Sequence, residues 1–342
     1  MKRFLLILIS TVLLLSGCAL SQSTSEKKQY TETFLTLFDT VTSIVGRADS
    51  EEEFKEIAGN IYDELKEYHE LFDIYNEYED VKNIKTINDN AGIAPVEVDE
   101  RIIALLLDCK SFYEQTDGKV NVAMGSVLSL WHECRSFGRD NPAQATLPVW
   151  DELQEAAKHT DFSSVLIDET ASTVYITDPL VQLDVGAIAK GWSVQRVAEK
   201  APKGLLISVG GNVCATGPKD EKGTQWVVGV QNPDDQGKYL HTLLVTEGSV
   251  VSSGDYQRRY EVNGKMYHHI IDPDTLYPSE YWRMVTIVCP DSGVADALST
   301  SLFLMSQEEG EALLEQYGAE AMWVDDEGKI YYSFGFKKMI RT

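Results

Sequence analysis

The region after residue 160 constrains the fold most, because it consists of short β-like runs separated by turn residues. These runs lie at 164–168, 173–177, 205–209, 226–231, 241–246, 258–262 and 284–289. Asn263-Gly264 can supply the positive φ angles of a tight hairpin turn, and Asp326-Glu327-Gly328 predicts a closing hairpin. Strands that pair through hairpins, with helices at irregular intervals, indicate an α+β fold. We therefore predict one large domain with mixed or antiparallel sheets flanked by helices.

Apolar residues recur at helical spacing in several segments. Residues 51–72 predict an amphipathic helix, and residues 99–116 predict a second one that begins with Asp99 as its N-cap. The polar and aromatic stretch at 72–88 between them predicts a loop. Two more helices are predicted at 294–305 and 307–317.

The N-terminus has the pattern of a bacterial lipoprotein signal. Lys2 and Arg3 precede an apolar run that is too short to span a membrane and that ends in Ser16-Gly17-Cys18. We expect a signal peptide over residues 1–17 and lipidation of Cys18, the alternative being an ordinary signal peptide that contains a cysteine. Residues 18–33 have no hydrophobic period and predict a lipidated flexible tether, followed by the folded domain at 34–342.

The formal net charge of −24 restricts the partners of this chain. So acidic a surface disfavours nucleic acid and is repelled by an anionic membrane, which leaves the lipid to hold the protein at the membrane. An anionic ligand would need a local cation or a bound metal. The cysteines after Cys18 form no zinc or dithiol motif and are expected to be buried apolar residues, with disulfide pairing left open. They are Cys109, Cys134, Cys214 and Cys289.

The stretch "LDVGAIAKGW" at 183–192 is a candidate phosphate site. It is not a P-loop, because Lys190 comes before the second glycine of the spacing, and no Gly-x-Gly-x-x-Gly opens a helix elsewhere. The turn at Asp184 leads into a predicted helix start, where free N–H groups favour an anion and Lys190 would add positive charge. The alternative is a solvated lysine without a role.

The segment "GVADALSTSLF" at 293–303 is a candidate metal site. Asp296 and Thr300 stand four residues apart on one side of a predicted helix, and Mg²⁺ accepts such a sparse set of oxygens together with substrate phosphates. In the alternative interpretation, Asp296 stabilises the helix dipole and Thr300 bonds back to its own helix.

Two further features leave alternatives open. His268 and His269 occupy adjacent positions of a predicted strand, so one should face inward, where Asp272 and Asp255 could make it a general base; a purely structural histidine is the alternative. Gly210-Gly211 could let the backbone approach a flat ligand or could simply form a tight turn.

These segments together resemble the ApbE family of FAD:protein FMN transferases across residues 34–335. The matching segments are "FDTVTSI" (38–44), "FDIY" (72–75), "IN" (87–88), "NVAMGSVLSLW" (121–131), "LDVGAIAKGW" (183–192), "SVGGNVCATG" (208–217), "VVSSGDYQRRY" (250–260), "HHIIDPDT" (268–275) and "ADALSTSLF" (295–303). Family members often have Met-Gly-Thr where this chain has Phe38-Asp39-Thr40.

The resemblance implies an enzyme on the extracytoplasmic face of the cell membrane that binds FAD with Mg²⁺. It would transfer FMN to a Thr or Ser hydroxyl of an acceptor flavoprotein and release AMP. The implied metal ligands are the Ala187 carbonyl, Asp296 and Thr300, and His269 matches the family's general base, with Lys190 adding charge. The implied FAD pocket consists of Phe38, Tyr75, Ala123, Met124, Gly125, Asp184, Lys190 and Ile270.

Two alternatives to transfer keep the same pocket. An FAD pyrophosphatase would use water as the acceptor, and a flavin-binding lipoprotein would not catalyse anything. Tyr75 as an aromatic wall favours transfer over hydrolysis, and His269 argues against simple storage, which needs no base.

Overall fold

The computed structural model describes residues 27–235 and 237–342. Its helices are α1 (Glu51–Phe72), α2 (Ile84–Asp89), α3 (Glu100–Gln115), α4 (Gly125–Asp140), α5 (Trp150–Ala156), α6 (Ala189–Lys200), α7 (Ser292–Ser301) and α8 (Gln307–Tyr317). Short 3₁₀ helices lie at Leu37–Asp39, Pro142–Gln144, Ala157–His159, Phe162–Ser164, Leu302–Leu304 and Phe336–Met339.

The strands are short, as the turn-rich sequence predicts. They are β1 (Lys28–Phe34), β2 (Thr42–Ala48), β3 (Val96–Glu97), β4 (Val165–Asp168), β5 (Thr173–Ile176), β6 (Leu206–Val209), β7 (Asn212–Ala215), β8 (Trp226–Gln231), β9 (Tyr239–Val245), β10 (Gly248–Gly254), β11 (Tyr260–Val262), β12 (Lys265–Tyr267), β13 (Met284–Cys289), β14 (Glu320–Val324) and β15 (Ile330–Tyr332).

A central antiparallel sheet organises the molecule. Its eight strands run in the order β1-β2-β6-β7-β10-β13-β14-β15, and the smaller sheets are β3-β5-β4, β8-β9 and β11-β12. Each pairing between these strands is antiparallel. The predicted α+β class with helix-flanked sheets is therefore confirmed, and the hairpin turns at Asn263-Gly264 and at 325–329 are present.

The two best-patterned helices follow the predicted bounds. The side chain of Ser50 caps α1 by accepting from the Glu53 N–H at 3.1 Å, and the apolar stripe of α1 faces the main core. Asp99 caps α3 as predicted, accepting from the Arg101 N–H at 2.9 Å. In both helices the cap and the apolar face agree, so local and tertiary preferences coincide.

Three predictions need correction. Residues 28–34 form β1 in continuous register with β2, so the last part of the predicted tether at 18–33 belongs to the sheet. The predicted loop at 72–88 contains the start of α2, which Asn83 and Thr86 cap reciprocally. The predicted helix at 294–305 is α7 followed by a 3₁₀ turn. The predicted signal peptide at 1–17 and the predicted lipidation site Cys18 lie outside the described residues.

Helices α6 and α7 pack at unusually short range against each other. A Cβ atom added to Gly191 would lie 2.5 Å from the Cβ of Asp296 and even closer to the Ser292 carbonyl oxygen. Only glycine therefore permits this approach. The contact brings the first turn of α6 against the middle of α7, where the candidate site is formed.

The structure shows the pairing state of the cysteines and whether any described helix could span a membrane. All four cysteines after Cys18 are free, and burial raises the pKa of the Cys289 thiol to about 11. Cys109, Cys214 and Cys289 are buried as expected, whereas Cys134 is partly exposed. Within the described residues, no helix is long and apolar enough to cross a membrane.

Candidate active site

Lys190 and Asp296 lie together, although 106 positions separate them in the chain. The Lys190 ammonium is 3.4 Å from Asp296 Oδ2, and the same oxygen accepts from the Gly191 N–H at 2.8 Å. Asp296 is only 4% exposed. Its carboxylate lies between the Lys190 ammonium and the N-terminal turn of α6, and both favour its negative charge. The predicted phosphate segment and the predicted metal segment thus form one composite site.

Asp184 is fixed next to this site by two backbone contacts. Its own N–H donates to the Val122 carbonyl at 2.7 Å, and its Oδ1 accepts from the Gly186 N–H at 2.9 Å. The neighbouring Gly125 N–H donates to the Gln182 carbonyl at 2.9 Å. Residues 121–125 therefore run alongside 182–184, which explains why two distant motifs contribute to one pocket.

The predicted metal ligands have oxygens that are free to bind an ion. The Thr300 hydroxyl makes no hydrogen bond among the described residues, whereas the neighbouring Ser301 hydroxyl bonds back to Ala297 at 2.8 Å. In the part of the chain described, the Gly191 N–H donates to Asp296 and no N–H of the turn donates to the Ala187 carbonyl. A carboxylate, a hydroxyl and a free carbonyl suit Mg²⁺.

The alternative interpretation, in which Asp296 stabilises the dipole of its own helix and Thr300 bonds back to that helix, does not fit the structure. Asp291, not Asp296, caps α7, accepting from the Val294 N–H at 2.9 Å. Across the described residues, no group of three or more His, Cys, Asp or Glu side chains could hold a metal. An ion at this site would therefore depend on the single carboxylate of Asp296, on neutral oxygens and on a bound substrate.

Tyr75 forms an aromatic wall supported by a polar network. Asp73 accepts from the Tyr75 N–H at 2.6 Å, from the Tyr78 hydroxyl at 2.7 Å and from Asn76. Burial would raise the pKa of Asp73, but the hydrogen bonds from Asn76 and Tyr78 outweigh it and lower this pKa. Burial and then the nearby Asp184 carboxylate raise the pKa of Tyr75 to about 12. The Asp184 carboxylate is thus close enough to act on the Tyr75 hydroxyl, while 54% of the surface of Tyr75 stays exposed.

Phe38 lies in a strained turn that is connected to the polar network around Tyr75. Its φ is 52° and that of Asp39 is 53°, both in the left-handed region. The Phe38 N–H donates to His69 Nδ1 at 3.4 Å, and the two rings meet edge to face at 5.4 Å. His69 also contacts Tyr78, so Phe38 joins the network that holds Tyr75.

His269 has an imidazole nitrogen without a partner. Its Nδ1 is buried and accepts or donates no hydrogen bond in the described structure. Burial lowers the pKa of His269 well below its usual value, and the charges of Arg258 and Arg135 lower it further. A neutral imidazole with a free nitrogen can accept a proton from a ligand.

The surroundings of the two histidines differ from the prediction. Strand β12 ends at Tyr267, so His268 and His269 follow the strand instead of alternating along it. His268 is structural: it accepts from the Ile270 N–H at 3.2 Å and its Nε2 lies 2.9 Å from the Ser279 carbonyl. Asp272 and Asp255 are not partners of His269, because they pair with Lys119 and Arg283.

Three other residues predicted to line the FAD pocket have buried side chains, so mainly their backbone atoms could contact a ligand. The side chains of Ala123, Met124 and Ile270 are at most 6% exposed and belong to the cores, so a ligand would meet their main chain unless they repack. Gly210-Gly211 forms the tight turn between β6 and β7, with φ values of 58° and 93°. A Cβ on Gly210 would lie 2.8 Å from the Thr40 hydroxyl oxygen, so this glycine permits close packing.

Three site residues were not predicted from the sequence. His132 and Arg135 lie one turn apart in α4, where Arg135 donates to His132 Nδ1 at 3.0 Å and the Tyr75 hydroxyl is 3.4 Å from the same atom. Arg258 precedes β11 and lowers the pKa of His132 after burial and Arg135. The available signal was the i, i+3 spacing of His132 and Arg135 directly after the matching segment at 121–131.

The fold and the site define a class of protein: an α+β domain in which a lysine from one helix meets a buried carboxylate from another, and in which a histidine nitrogen has no hydrogen-bond partner among the described residues. Residues 38–323 match the model of the ApbE family, and the chain belongs to this family. The family resemblance of the motifs is thereby confirmed.

Curated relatives and solved structures agree with this assignment. The FAD:protein FMN transferase of Treponema pallidum is 34% identical over 278 residues, covering 76% of this chain and 75% of the relative. That of Klebsiella pneumoniae is 31% identical, covering 76% and 79%. The ApbE protein of Thermotoga maritima superposes with a TM-score of 0.81 at 31% identity, covering 92% of this chain and 100% of the other.

Proposed function

We propose that this protein is a Mg²⁺-dependent FAD:protein FMN transferase. It transfers FMN from FAD to a Thr or Ser hydroxyl of an acceptor flavoprotein and releases AMP. The observation that carries the proposal is the meeting of Lys190 with the buried Asp296, beside free oxygens of Ala187 and Thr300. The names of the curated relatives support the reaction, because both are FAD:protein FMN transferases.

Mg²⁺ would be held by Asp296, the Thr300 hydroxyl and the Ala187 carbonyl. When bound, it would neutralise charge on the pyrophosphate of FAD. Lys190 supplies a second positive charge at the same place, and its amino group is kept there by the Gly186 carbonyl at 3.2 Å. In a chain with a net charge of −24, these local charges are what allow an anionic substrate to bind.

His269 would act on the acceptor. The hydroxyl oxygen of the acceptor forms a bond to the FMN phosphorus, the bond from that phosphorus to the bridging oxygen breaks, and AMP leaves with the bridging oxygen. The proton of the hydroxyl would move to the imidazole of His269, whose Nδ1 has no hydrogen-bond partner among the described residues. The low pKa keeps this imidazole neutral at pH 7, in the form that accepts a proton.

Tyr75 would stack on the flavin side of FAD, with Phe38 and Asp184 around it. The protein would be anchored through a lipid on Cys18 at the extracytoplasmic face of the cell membrane, since Leu15-Ser16-Gly17-Cys18 has the pattern of a lipoprotein cleavage site. The acceptor would therefore be found on the same face.

One experiment distinguishes transfer from its alternatives. The protein is incubated with FAD, Mg²⁺ and a hydroxyl-bearing acceptor, and AMP release and acceptor mass are followed. Covalent FMN on the acceptor supports transfer, whereas free FMN with AMP would mean FAD hydrolysis. FAD that binds and is recovered intact would mean a non-catalytic flavin-binding protein.

A further inference from the structure

Helices α6 and α7 exchange hydrogen bonds at their N-terminal turns. The Gly191 N–H in the first turn of α6 donates to Asp296 Oδ2 of α7 at 2.8 Å. The Ser292 N–H, at the first residue of α7, donates to Gln195 Oε1 of α6 at 2.8 Å. An N–H in the first turn of a helix has no acceptor within that helix, so each helix supplies an acceptor that the other lacks.

The two hydrogen bonds are built with the same spacing on both helices. On α6 the donor Gly191 precedes the acceptor Gln195 by four residues, and on α7 the donor Ser292 precedes the acceptor Asp296 by four. Because four residues are about one helical turn, donor and acceptor lie on the same face of each helix. We call the hydrogen bonds Gly191–Asp296 and Ser292–Gln195 the reciprocal clamp.

The packing of α6 on α7 permits a close approach without fixing how the helices are aligned. A Cβ atom added to Gly191 would collide with the Ser292 carbonyl oxygen, and one added to Gly293 would lie 3.1 Å from the Trp192 Cα. Where backbone meets backbone in this way, no side chains interlock. Hydrogen bonds are directional, so the reciprocal clamp decides which residue of α7 lies against Gly191.

A second hydrogen bond sets the orientation of the Gln195 amide. Its side-chain nitrogen donates to Glu199 Oε1 at 3.1 Å, one turn further along α6. The side-chain oxygen is therefore directed to the Ser292 N–H, which belongs to a fully buried residue. Asp291 also caps this turn of α7, but it does so through Val294 and not through α6.

The predicted metal ligands continue the same spacing. Thr300 follows Asp296 by four residues on α7, and Ala187 precedes Gly191 by four. The reciprocal clamp uses Oδ2 of Asp296, whereas its Oδ1 forms no hydrogen bond with a described residue. A shift of α7 along α6 would therefore move Asp296 and Thr300 together relative to Lys190.

We propose that Gln195 is a positioning residue of the metal site. It fixes the start of α7 against α6 and so holds Asp296 and Thr300 where they can bind Mg²⁺ together with the Ala187 carbonyl. This inference rests on the proposed function, because it presumes a metal ion at these oxygens. In this role Gln195 acts through Asp296 and does not bind the ion itself.

Four variants isolate the hydrogen bond between Gln195 and Ser292. Gln195→Leu removes the acceptor and nearly keeps the size of the side chain, and Gln195→Ala removes it with a smaller residue. Gln195→Glu combined with Glu199→Gln restores an accepting oxygen and exchanges the carboxylate and the amide of the pair. Glu199→Gln alone leaves the bond to Ser292 in place and is the control. Circular dichroism verifies that each variant is folded.

Amide hydrogen exchange at single-residue resolution, in the protein without ligands, tests the alignment of α7. Gln195→Leu should speed exchange of the Ser292 N–H about tenfold, because one hydrogen bond is lost. Exchange of the Gly191 N–H is the decisive measurement, because its own acceptor Asp296 is unchanged. If Gln195 fixes the alignment, Gly191 should also exchange severalfold faster, and the exchanged pair should restore both rates.

Titration calorimetry of Mg²⁺ into the FAD-loaded protein tests the metal site without turnover. We expect Gln195→Leu to weaken Mg²⁺ binding roughly tenfold, as for the loss of a residue that supports a metal ligand, with FAD affinity unchanged. AMP release should then need a correspondingly higher Mg²⁺ concentration and reach an unchanged kcat at saturation. The exchanged pair should bind Mg²⁺ like the unchanged protein.

The outcomes separate this inference from the proposed function. Faster exchange at Ser292 alone, or unchanged Mg²⁺ affinity in the leucine and alanine variants, would overturn the positioning role and leave Gln195 a helix cap. An equal defect in Glu199→Gln, or no recovery in the exchanged pair, would also overturn it. Absence of Mg²⁺ binding in the unchanged protein would instead count against the proposed metal site itself.

Discussion

Replacing Gly191 with alanine tests whether the close contact of α6 with α7 builds the site. The added Cβ would lie 2.5 Å from the Cβ of Asp296, and closer still to the Ser292 carbonyl oxygen. Both atoms belong to a buried helix and cannot move like the end of a flexible side chain. The two helices must therefore separate, and Asp296 must move away from Lys190.

The expected effect follows from two opposing terms. Alanine is favoured over glycine within a helix by about 1 kcal/mol. Forcing an extra methyl group into a packed contact costs about 1–3 kcal/mol, and occasionally more. Because the clash involves main-chain atoms, we expect its upper range and a net loss of about 1–2 kcal/mol in the free energy of unfolding. Mg²⁺-dependent turnover should fall strongly, because Asp296 leaves its position.

Gly59→Ala is the matched control for this prediction. Gly59 lies within α1 and a Cβ there would have no atom within 4 Å, so only the helix-propensity term applies. We expect this variant to be about 0.5–1 kcal/mol more stable than the unchanged protein, with unchanged turnover. Urea unfolding of both variants measures the midpoint and the m-value. A Gly191→Ala protein as stable as the Gly59→Ala protein would refute the reasoning.

Four further predictions concern the chemistry and the oxidation state. Asp296→Ala should abolish Mg²⁺-dependent AMP release while FAD binding persists in a fluorescence titration, and undiminished turnover would remove Asp296 from the metal site. His269 must be neutral to accept a proton and its pKa is lowered, so turnover at saturating acceptor should persist below pH 6.5 and be lost only as the pH falls through the lowered pKa. Arg258→Gln removes one of the charges that lower this pKa and should move the acid limb of the profile to higher pH, whereas an unchanged limb would contradict the electrostatic argument. A reducing agent should leave the melting temperature unchanged because the four cysteines after Cys18 are free, and a shift would reveal a disulfide.

The parts of the fold that the sequence predicted well are those in which one short pattern decides the structure. Helix α1 carries its cap and its apolar face within a single stretch, and the turn at Asn263-Gly264 is specified by its own two residues. Strand β1 was missed because it is an edge strand with little burial and polar alternate positions. Helix α4 was missed because no side chain caps its start and Gly138 interrupts its pattern.

The candidate site, like the fold, was predictable only in part from the sequence. Lys190 and Asp296 were each unconvincing alone, and only the family resemblance joined them before the structure brought them within 3.4 Å. His269 was chosen from the family resemblance, and its role as a base stays a prediction. The neighbours expected for it were wrong, because Asp272 and Asp255 pair with Lys119 and Arg283, and the charges of Arg258 and Arg135 lower the pKa of His269. Those arginines come from separate elements, and no local spacing in the sequence indicates that α4 and β11 touch.

The position of β1 also limits how far the domain could reach from a lipid on Cys18. If Cys18 carries the proposed lipid, the sheet begins only about ten residues later, at Lys28. Even a fully extended chain of that length spans no more than about 35 Å, which is comparable to the width of a small domain. The domain would therefore be held against the lipid surface, and acceptors would have to present their hydroxyl close to that surface, so proximity to the membrane would select the substrates before any side chain does.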